Sequence, residues 1–356
     1  MTIKLQVRGV QYTDFIDASV QIRLDALCRT YTFRAAGAPL PFRGGESCRV
    51  IVDDEPVLTG SIEVVQGEYD TQGHMVTVRG RDLTGDLLDS SIADMSDVVA
   101  PTSLASAVAQ VISHLGLALP LTDLAGPGNY NPAEDTLAPE PGVNAWQYIE
   151  QLARKRQVLI TADRDGGLVI ADTPGPKLAN AGIRNVVGRS DNNVLSASFS
   201  YDTTGRFNSY VFDSQLSPLA VNRAGATGNA GIVAQSTLIS DGDIRRGRQL
   251  ALISEFPSSS EELERRALWE ANVRRARGVT YKVVVRGFRA YDGGPLWPAN
   301  ARVDVQDDFA GIRAEMLINA VDYSYSPDSG STTTLSMVLP NSYSLQLSEP
   351  VGDVGL

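Results

Sequence analysis

The chain is poor in the residues that most often carry chemistry. It has two cysteines and two histidines in 356 residues. Two thiols, Cys28 and Cys48, cannot build a metal cluster alone, and a disulfide framework in a secreted chain needs more of them. They read as small buried apolar side chains in strand-like runs, with a bridge between neighbouring strands left open. His74 sits beside an expected turn and His114 on the flank of an expected helix. Neither has a partner at H-E-x-x-H spacing, and no G-x-S-x-G elbow is present to hold a serine nucleophile. No apolar run approaches the roughly 18 residues that cross a bilayer, so membrane insertion is not expected. The N-terminal MTIKLQVRG alternates apolar and polar residues where a signal peptide would be continuously apolar, which reads as a mature, non-secreted start. Excess positive charge is also missing. The formal net charge is −11, whereas nucleic-acid binders usually show a basic face.

What is present is an ordinary globular balance, 43% hydrophobic and 21% charged, able to bury real cores. The length suggests two or three domains. Ile3, Leu5 and Val7 alternate with Lys4, Gln6 and Arg8, and Ala18, Val20, Ile22 and Leu24 alternate with Ser19, Gln21, Arg23 and Asp25. A period of two puts one face on a core and the other in water. Asp53-Asp54-Glu55-Pro56 and Asp70-Thr71-Gln72-Gly73 read as turns between further strands, a pattern that points to a sandwich or barrel. The period then changes. Leu104, Val108, Val111, Ile112 and Leu115 form a helical stripe, started by Thr102 or Ser103 and stopped by Gly116. Asn144 can cap a second helix with Ala145, Tyr148, Ile149 and Leu152 on one side. Asp165-Gly166-Gly167 reads as a hairpin turn. The β pattern returns at 194–201 and again at 281–285, 302–305, 314–318, 320–325 and 332–339. Between them, 258–277 reads as a helix, with Ser258 or Ser259 in a capping box and Arg274, Arg275 and Arg277 at its negative end.

The candidate sites are weak. Gly225 to Gly231 has the glycines of a phosphate loop but no G-K-[ST] ending, and reads as a flexible loop. Asp304, Asp307 and Asp308 lack the EF-hand pattern and read as a β-turn with solvated carboxylates. Trp146, Trp269 and Trp297 suit core or interface positions better than a sugar platform. The stretch Arg79-Gly80-Arg81-Asp82 reads as a joint between a strand ending at Val78 and a helix. Gly80 would permit the change of direction and Asp82 would cap the helix. An anion site there is opposed by Asp82 and Asp86.

This joint carries a resemblance. VTVRGRDLTGDLLDSS, residues 76–91, resembles the corresponding segment of the baseplate hub proteins of Mu-like contractile-tailed phages, the P protein family. The similarity continues in order through Trp146 to Ala171, Ser260 to Arg277, GGPLWPANARVDVQDDFAGI at 293–312 and AEMLINAVDYSYSPDSGSTTTLSMVLPNSY at 314–343. It covers nearly the whole chain, with 215–247 matching least. It implies a mainly β fold with an α+β insert, in which two barrel-like tube domains per chain form a pseudo-sixfold ring in a trimer. The implied domains are 1–91 for the first barrel, 92–187 for the insert, 188–345 for the second barrel with helix 258–277, and 346–356 for a tail. The stretch 190–215 has the option of returning to the first barrel. The resemblance further implies a non-enzymatic adaptor between the six-fold tail tube and the three-fold central spike. Implied partners are copies of itself, the spike, tube or tube-initiator proteins and other baseplate proteins. DNA would pass through without specific binding, helped by an acidic channel. The implied place is the virion baseplate, after assembly in the host cytoplasm. No catalytic residue, cofactor or metal ligand is carried over. From the residues alone, a carbohydrate- or receptor-binding β protein and a cell-wall hydrolase stay open as alternatives.

Overall fold

The alternating runs of the N-terminal region become strands because each puts its apolar side chains on one face. β1 (Ile3–Val7) buries Ile3, Leu5 and Val7 and pairs with β2 (Val10–Tyr12). β3 (Asp17–Arg23) and β4 (Thr30–Ala36) bury alternate residues in the same way. β5 (Ser47–Val52) turns into β6 (Glu55–Tyr69), and β6 pairs in turn with β7 (His74–Asp82). The first turn is made by Asp53 and Asp54, both at positive φ. The computed structural model describes residues 2–36, 41–71, 73–93, 103–125, 139, 141–156, 158–171, 174–215, 234–242, 244–245, 247–253, 260–343 and 352–353.

Residues after β7 switch to a helical period and build a separate small unit. It contains α1 (Gly85–Asp89), α2 (Leu104–His114), β8 (Leu121–Asp123), α3 (Ala145–Arg156), β9 (Leu159–Ala162) and β10 (Leu168–Ala171). The three strands form their own sheet in the order β8–β10–β9. Ser103 and Ser106 cap α2 reciprocally. Thr102, the alternative cap, lies outside the described residues. The Asn144 side chain accepts the Gln147 N–H at 3.1 Å and donates to the Leu88 carbonyl at 2.6 Å, so the cap also ties α3 to the end of α1. The unit has its own buried cluster, including Leu104, Val111, Ile149 and Leu168, which Leu27 and Cys28 join from the first β region.

β11 (Lys177–Asn185) and β12 (Val194–Tyr201) follow. β13 (Ser209–Gln215), β14 (Ala234–Ser240) and β15 (Gln249–Ile253) then make a second three-stranded sheet in the order β14–β13–β15. Phe212 of this sheet is buried against Leu263 and Ala267 of α4 (Ser260–Arg277). The expected capping serines Ser258 and Ser259 lie outside the described residues, as do Gly225 to Gly231 and most of 346–356. No described helix is long and apolar enough to cross a membrane.

β16 (Val279–Arg286), β17 (Arg302–Asp307), β18 (Ile312–Ser326), β19 (Gly330–Val338) and the short β20 (Gly352–Asp353) complete a large sheet that holds both β regions. Its main path runs β12–β16–β19–β18–β3–β4–β7–β6–β5–β1–β2, with β11 joined through β17 and β20 on β18. The 15-residue β18 is the shared strand. Its first part pairs with β17, and beyond the irregularity at Ile318 to Ala320 its second part pairs with β3. Phe33 and Leu58 from the first region and Tyr281, Val303 and Leu335 from the second therefore share one buried cluster. Two pairings show where the strands around the insert go. β12, which had the option of returning to the first β region, pairs with β16. β11, placed with the insert, pairs in parallel with β17. The reason is composition: Ala181 and Ile183 of β11 find their apolar surroundings in the large cluster, not in the core of the insert.

Candidate assembly surface

Arg79 to Asp82 are all strand. β7 runs on to Asp82 instead of ending at Val78. Gly80 therefore does not turn the chain. It lets two strands and a ring come close, since a Cβ there would lie 2.0 Å from the Ser61 carbonyl oxygen and 2.6 Å from the Tyr31 hydroxyl. Nor does Asp82 cap α1, whose N-cap residue is Thr84 and makes no side-chain cap bond. Asp82 is 2% exposed. Its carboxylate accepts the Arg29 N–H at 2.9 Å, the Thr84 N–H at 3.2 Å and the Thr84 hydroxyl at 2.6 Å. Burial pushes its pKa up to about 6 against these bonds. The Arg29 guanidinium donates to the Val57 carbonyl and to the Ala162 carbonyl, each at 2.7 Å, and so clips the insert to the first β region. Arg81 is held by Glu63 at 2.6 Å and by Asp89. With Arg81 already between two carboxylates and Asp82 buried, the stretch works as a joint.

The other candidates are structural too. Asp307, expected to be solvated, is 2% exposed. It accepts the Tyr281 hydroxyl at 2.6 Å, the Phe309 and Ala310 N–H groups at 2.9 Å each, and the Asn185 amide at 3.2 Å. Asp304 meets Lys177 at 2.7 Å and Asp308 meets Arg313 at 2.7 Å. The Val187 N–H, and after it the Arg313 contact, hold the Asp308 carboxyl below its ordinary range. Among the described residues no group of three or more His, Cys, Asp and Glu could hold a metal ion. His74 stacks on Tyr69 with ring centres 6.0 Å apart, and His114 is exposed at the end of α2. Cys28 and Cys48 are free and buried. Cys28 lies in the bend between β3 and β4, not in a strand. Burial pushes both thiols up to about 11, so they stay protonated. Trp297 is a core residue, whereas Trp146 and Trp269 are half-buried.

The surface is more informative than these candidates. β12 ends the main strand path, and its outer backbone groups have no strand partner among the described residues. Its sequence, VLSASFSY, contains no charge and no proline. Open edges are normally blunted by exactly such residues, because an unpaired strand edge invites another strand. Beside this edge lie Leu195, Phe199, Val187 at 88% exposure and Phe309 at 86%. The Phe199 and Phe309 rings meet edge-on at 6.1 Å. Single exposed apolar residues need no explanation, but a contiguous patch marks an interaction surface. The far end of the path is β2, with Val10 exposed.

Comparison with known proteins agrees with this picture. Residues 2–82 match the N-terminal domain model of the Mu phage baseplate assembly protein GpP-like family. Residues 84–172 match the second domain of the baseplate hub protein gp44-like family, and 259–346 match the fourth domain of the Mu phage baseplate assembly protein GpP. The chain belongs to the baseplate hub protein family of Mu-like phages. It is 22% identical to baseplate hub protein gp44 of Escherichia phage Mu, over 94% of this chain and 87% of that one. The fold is shared with the 43 kDa tail protein of prophage MuSo2 from Shewanella oneidensis, with TM-score 0.79, 24% identity and coverage of 96% and 99% of the two chains. It is also shared with the tail protein from Neisseria meningitidis MC58, with TM-score 0.80, 21% identity and coverage of 96% and 98%. As a member of the hub family, the chain has a structural role in phage tail assembly.

Three features of this hub protein escaped the sequence reading. Arg29 bonds to carbonyls 28 and 133 residues away, and nothing local announces that. Arg206 and Asp241 form a buried pair with three bonds of 2.9 to 3.1 Å, closing the base of the β13–β15 sheet. The open β12 edge did have a signal, its lack of charge over eight residues.

Proposed function

We propose that three copies of the chain form a ring-shaped, non-enzymatic hub that joins the six-fold tail tube to the three-fold central spike. The observation that carries this reading is the uncharged open edge of β12 with its Phe199 and Phe309 patch. A strand edge of this kind is completed by another strand. A head-to-tail contact between different surfaces of identical chains closes into a ring when the rotation allows. Each copy would supply two tube-like β units, one from 1–91 and one from 188–345 together with β11, so three copies would present six. The insert would stand outside this ring. The net charge of −11 suits a channel through which DNA passes without sticking, since few cation–phosphate contacts would form. Partners on the two faces would be spike and tube or tube-initiator proteins, with other baseplate proteins around them. The assembly would form in the host cytoplasm and end in the virion baseplate.

Light scattering on a sizing column, with negative-stain images, tests the reading. The expected mass is three times the 38.2 kDa of one chain, in ring-shaped particles. A chain that stays monomeric alone and also with its spike and baseplate partners present overturns it.

A further inference from the structure

The two β regions repeat one arrangement. In the first, β3–β4–β7–β6–β5 lie side by side, and in the second β12–β16–β19–β18–β17, every neighbouring pair antiparallel. The strands beyond them, β1 and β11, differ in direction. β6 and β18 are both 15 residues long, and β7 and β19 are both 9. The register slips at the same place in each, between Ile62 and Val64 in β6 and between Ile318 and Ala320 in β18. The ladders then correspond residue for residue. Ile62 faces Gly80, which faces Tyr31, which faces Val20; Ile318 faces Met337, which faces Tyr281, which faces Phe199.

The repeat breaks at one point. Beyond its slip, β18 takes β3 as neighbour on the side that β17 occupies before it, from Ala320 opposite Arg23 to Tyr325 opposite Ala18. On the same side β6 loses β5 at Ser61, and beyond its own slip it has no strand there among the described residues. The strand equivalent to β3 is β12, whose outer edge is also open. Exposure follows the break. Val321 and Val20 at the filled junction are 1% and 0% exposed, whereas their equivalents Val65 and Phe199 are 37% and 39% exposed. The chain thus carries both halves of a junction it fills only once, with apolar side chains left in water on each open edge.

We propose that the edge of β6 beyond its slip pairs with β12 of the next copy, repeating between chains the contact that β18 and β3 make within one. The pairing rests on the reading that copies of the chain form a ring, and it names the two strands that join them. The register of the filled junction, carried over, sets Val65 opposite Tyr201, Gly67 opposite Phe199, Glu68 opposite Ser198 and Tyr69 opposite Ala197. Sizes agree with this. Tyr323 faces the smaller Val20 at the filled junction. At the open one Gly67, with nothing within 4 Å of where a Cβ would stand, leaves room for the larger Phe199. Glu68 meets a strand that carries no charge of its own. The two edges differ, so the contact is head-to-tail and passes from copy to copy until the ring closes.

The test places a cysteine pair in the full chain, Glu68→Cys with Ser198→Cys, at two exposed positions. Directly opposed residues of an antiparallel pair stand about 4.5–5.5 Å apart at Cα, within the reach of a disulfide. The native Cys28 and Cys48 are buried and free. Mild oxidation is applied to the chain alone and with its spike and baseplate partners. It is expected to give bands at two and three times 38.2 kDa on a denaturing gel, returning to one on reduction. Each single variant is expected to stay at one chain, since a head-to-tail contact does not bring like positions together. The displaced pair Glu68→Cys with Ser200→Cys, a diagonal relation across the strands, is expected to lose the link. A particle of trimer mass whose Glu68→Cys and Ser198→Cys positions stay unlinked overturns the pairing and leaves the hub reading standing. Links as abundant from the displaced pair overturn the register. A chain that is monomeric even with its partners overturns both.

Discussion

The Arg29 N–H donates to the buried Asp82 carboxylate at 2.9 Å, across 53 residues of sequence. That bond sits at the joint between the first β region and the insert. Burial nonetheless wins, and the Asp82 pKa rises from 3.8 to about 6. The folded value lies above the unfolded one, so protonation favours the fold. The contribution is complete below the unfolded value and is lost as pH rises through the folded one. Lowering the pH from about 7 to about 5 should therefore stabilise the protein relative to Asp82→Asn by about 1 kcal/mol. Urea denaturation of both proteins at the two pH values measures it. A difference that does not change with pH would remove Asp82 as the titrating group.

Two glycines on neighbouring strands should behave in opposite ways. Gly80 has the Ser61 carbonyl and the Tyr31 ring where a Cβ would go, while Gly67 has nothing within 4 Å. Gly80→Ala must push two strands apart and is expected to cost at least about 3 kcal/mol, or to prevent soluble expression. Gly67→Ala only restricts the unfolded chain and is expected to be neutral, or stabilising by up to about 1 kcal/mol. Thermal unfolding of the pair decides, and similar midpoints would show that β6 and β7 tolerate separation.

The buried Arg206–Asp241 pair makes a sharper case. Their side chains are 4% and 8% exposed, and the fork geometry is bidentate. Removing the arginine alone takes three charge-assisted bonds from a buried carboxylate. Arg206→Leu is expected to cost about 3–5 kcal/mol, and adding Asp241→Leu to recover much of that. A double-mutant cycle by denaturant titration gives the coupling directly. If the double variant were as unstable as the single one, the loss would lie in packing and not in charge.

The strands were legible because their information is local. Ile3, Leu5 and Val7 alternate in the sequence and are buried alternately in the structure. The stripe from Leu104 to Ile112 is equally local, as is the Asn144 cap. What failed depended on partners far away. Gly80 looked like a turn glycine, since a glycine needed for room carries the same letter as one needed for a bend. Asp307 looked solvated, yet Tyr281, 26 residues earlier, comes to it at 2.6 Å. The parallel pairing of β11 with β17, more than 100 residues later, is of the same long-range kind and has no local pattern that encodes it. The β12 edge was visible as an absence of charge, and it acquired meaning only once the strand was known to lie at the end of the sheet.

That edge yields the prediction that bears most directly on assembly. Ser196 lies on β12 opposite Val284, with Lys282 and Arg286 diagonal to it on the same face of β16, so a glutamate there meets no like charge across the ladder. It would put a charge on an edge that has none, the device by which β proteins keep strands apart. Phe309 is 86% exposed, so Phe309→Ser removes little from the fold of a single chain. Both substitutions are expected to change chain stability by less than about 0.5 kcal/mol, as surface changes do. Both are expected to turn a particle of trimer mass into a monomer. Light scattering and thermal unfolding on the same samples separate the two effects. Trimers that survive both substitutions would move the contact between copies away from β12, and the exposed Phe199–Phe309 pair would then belong to another partner.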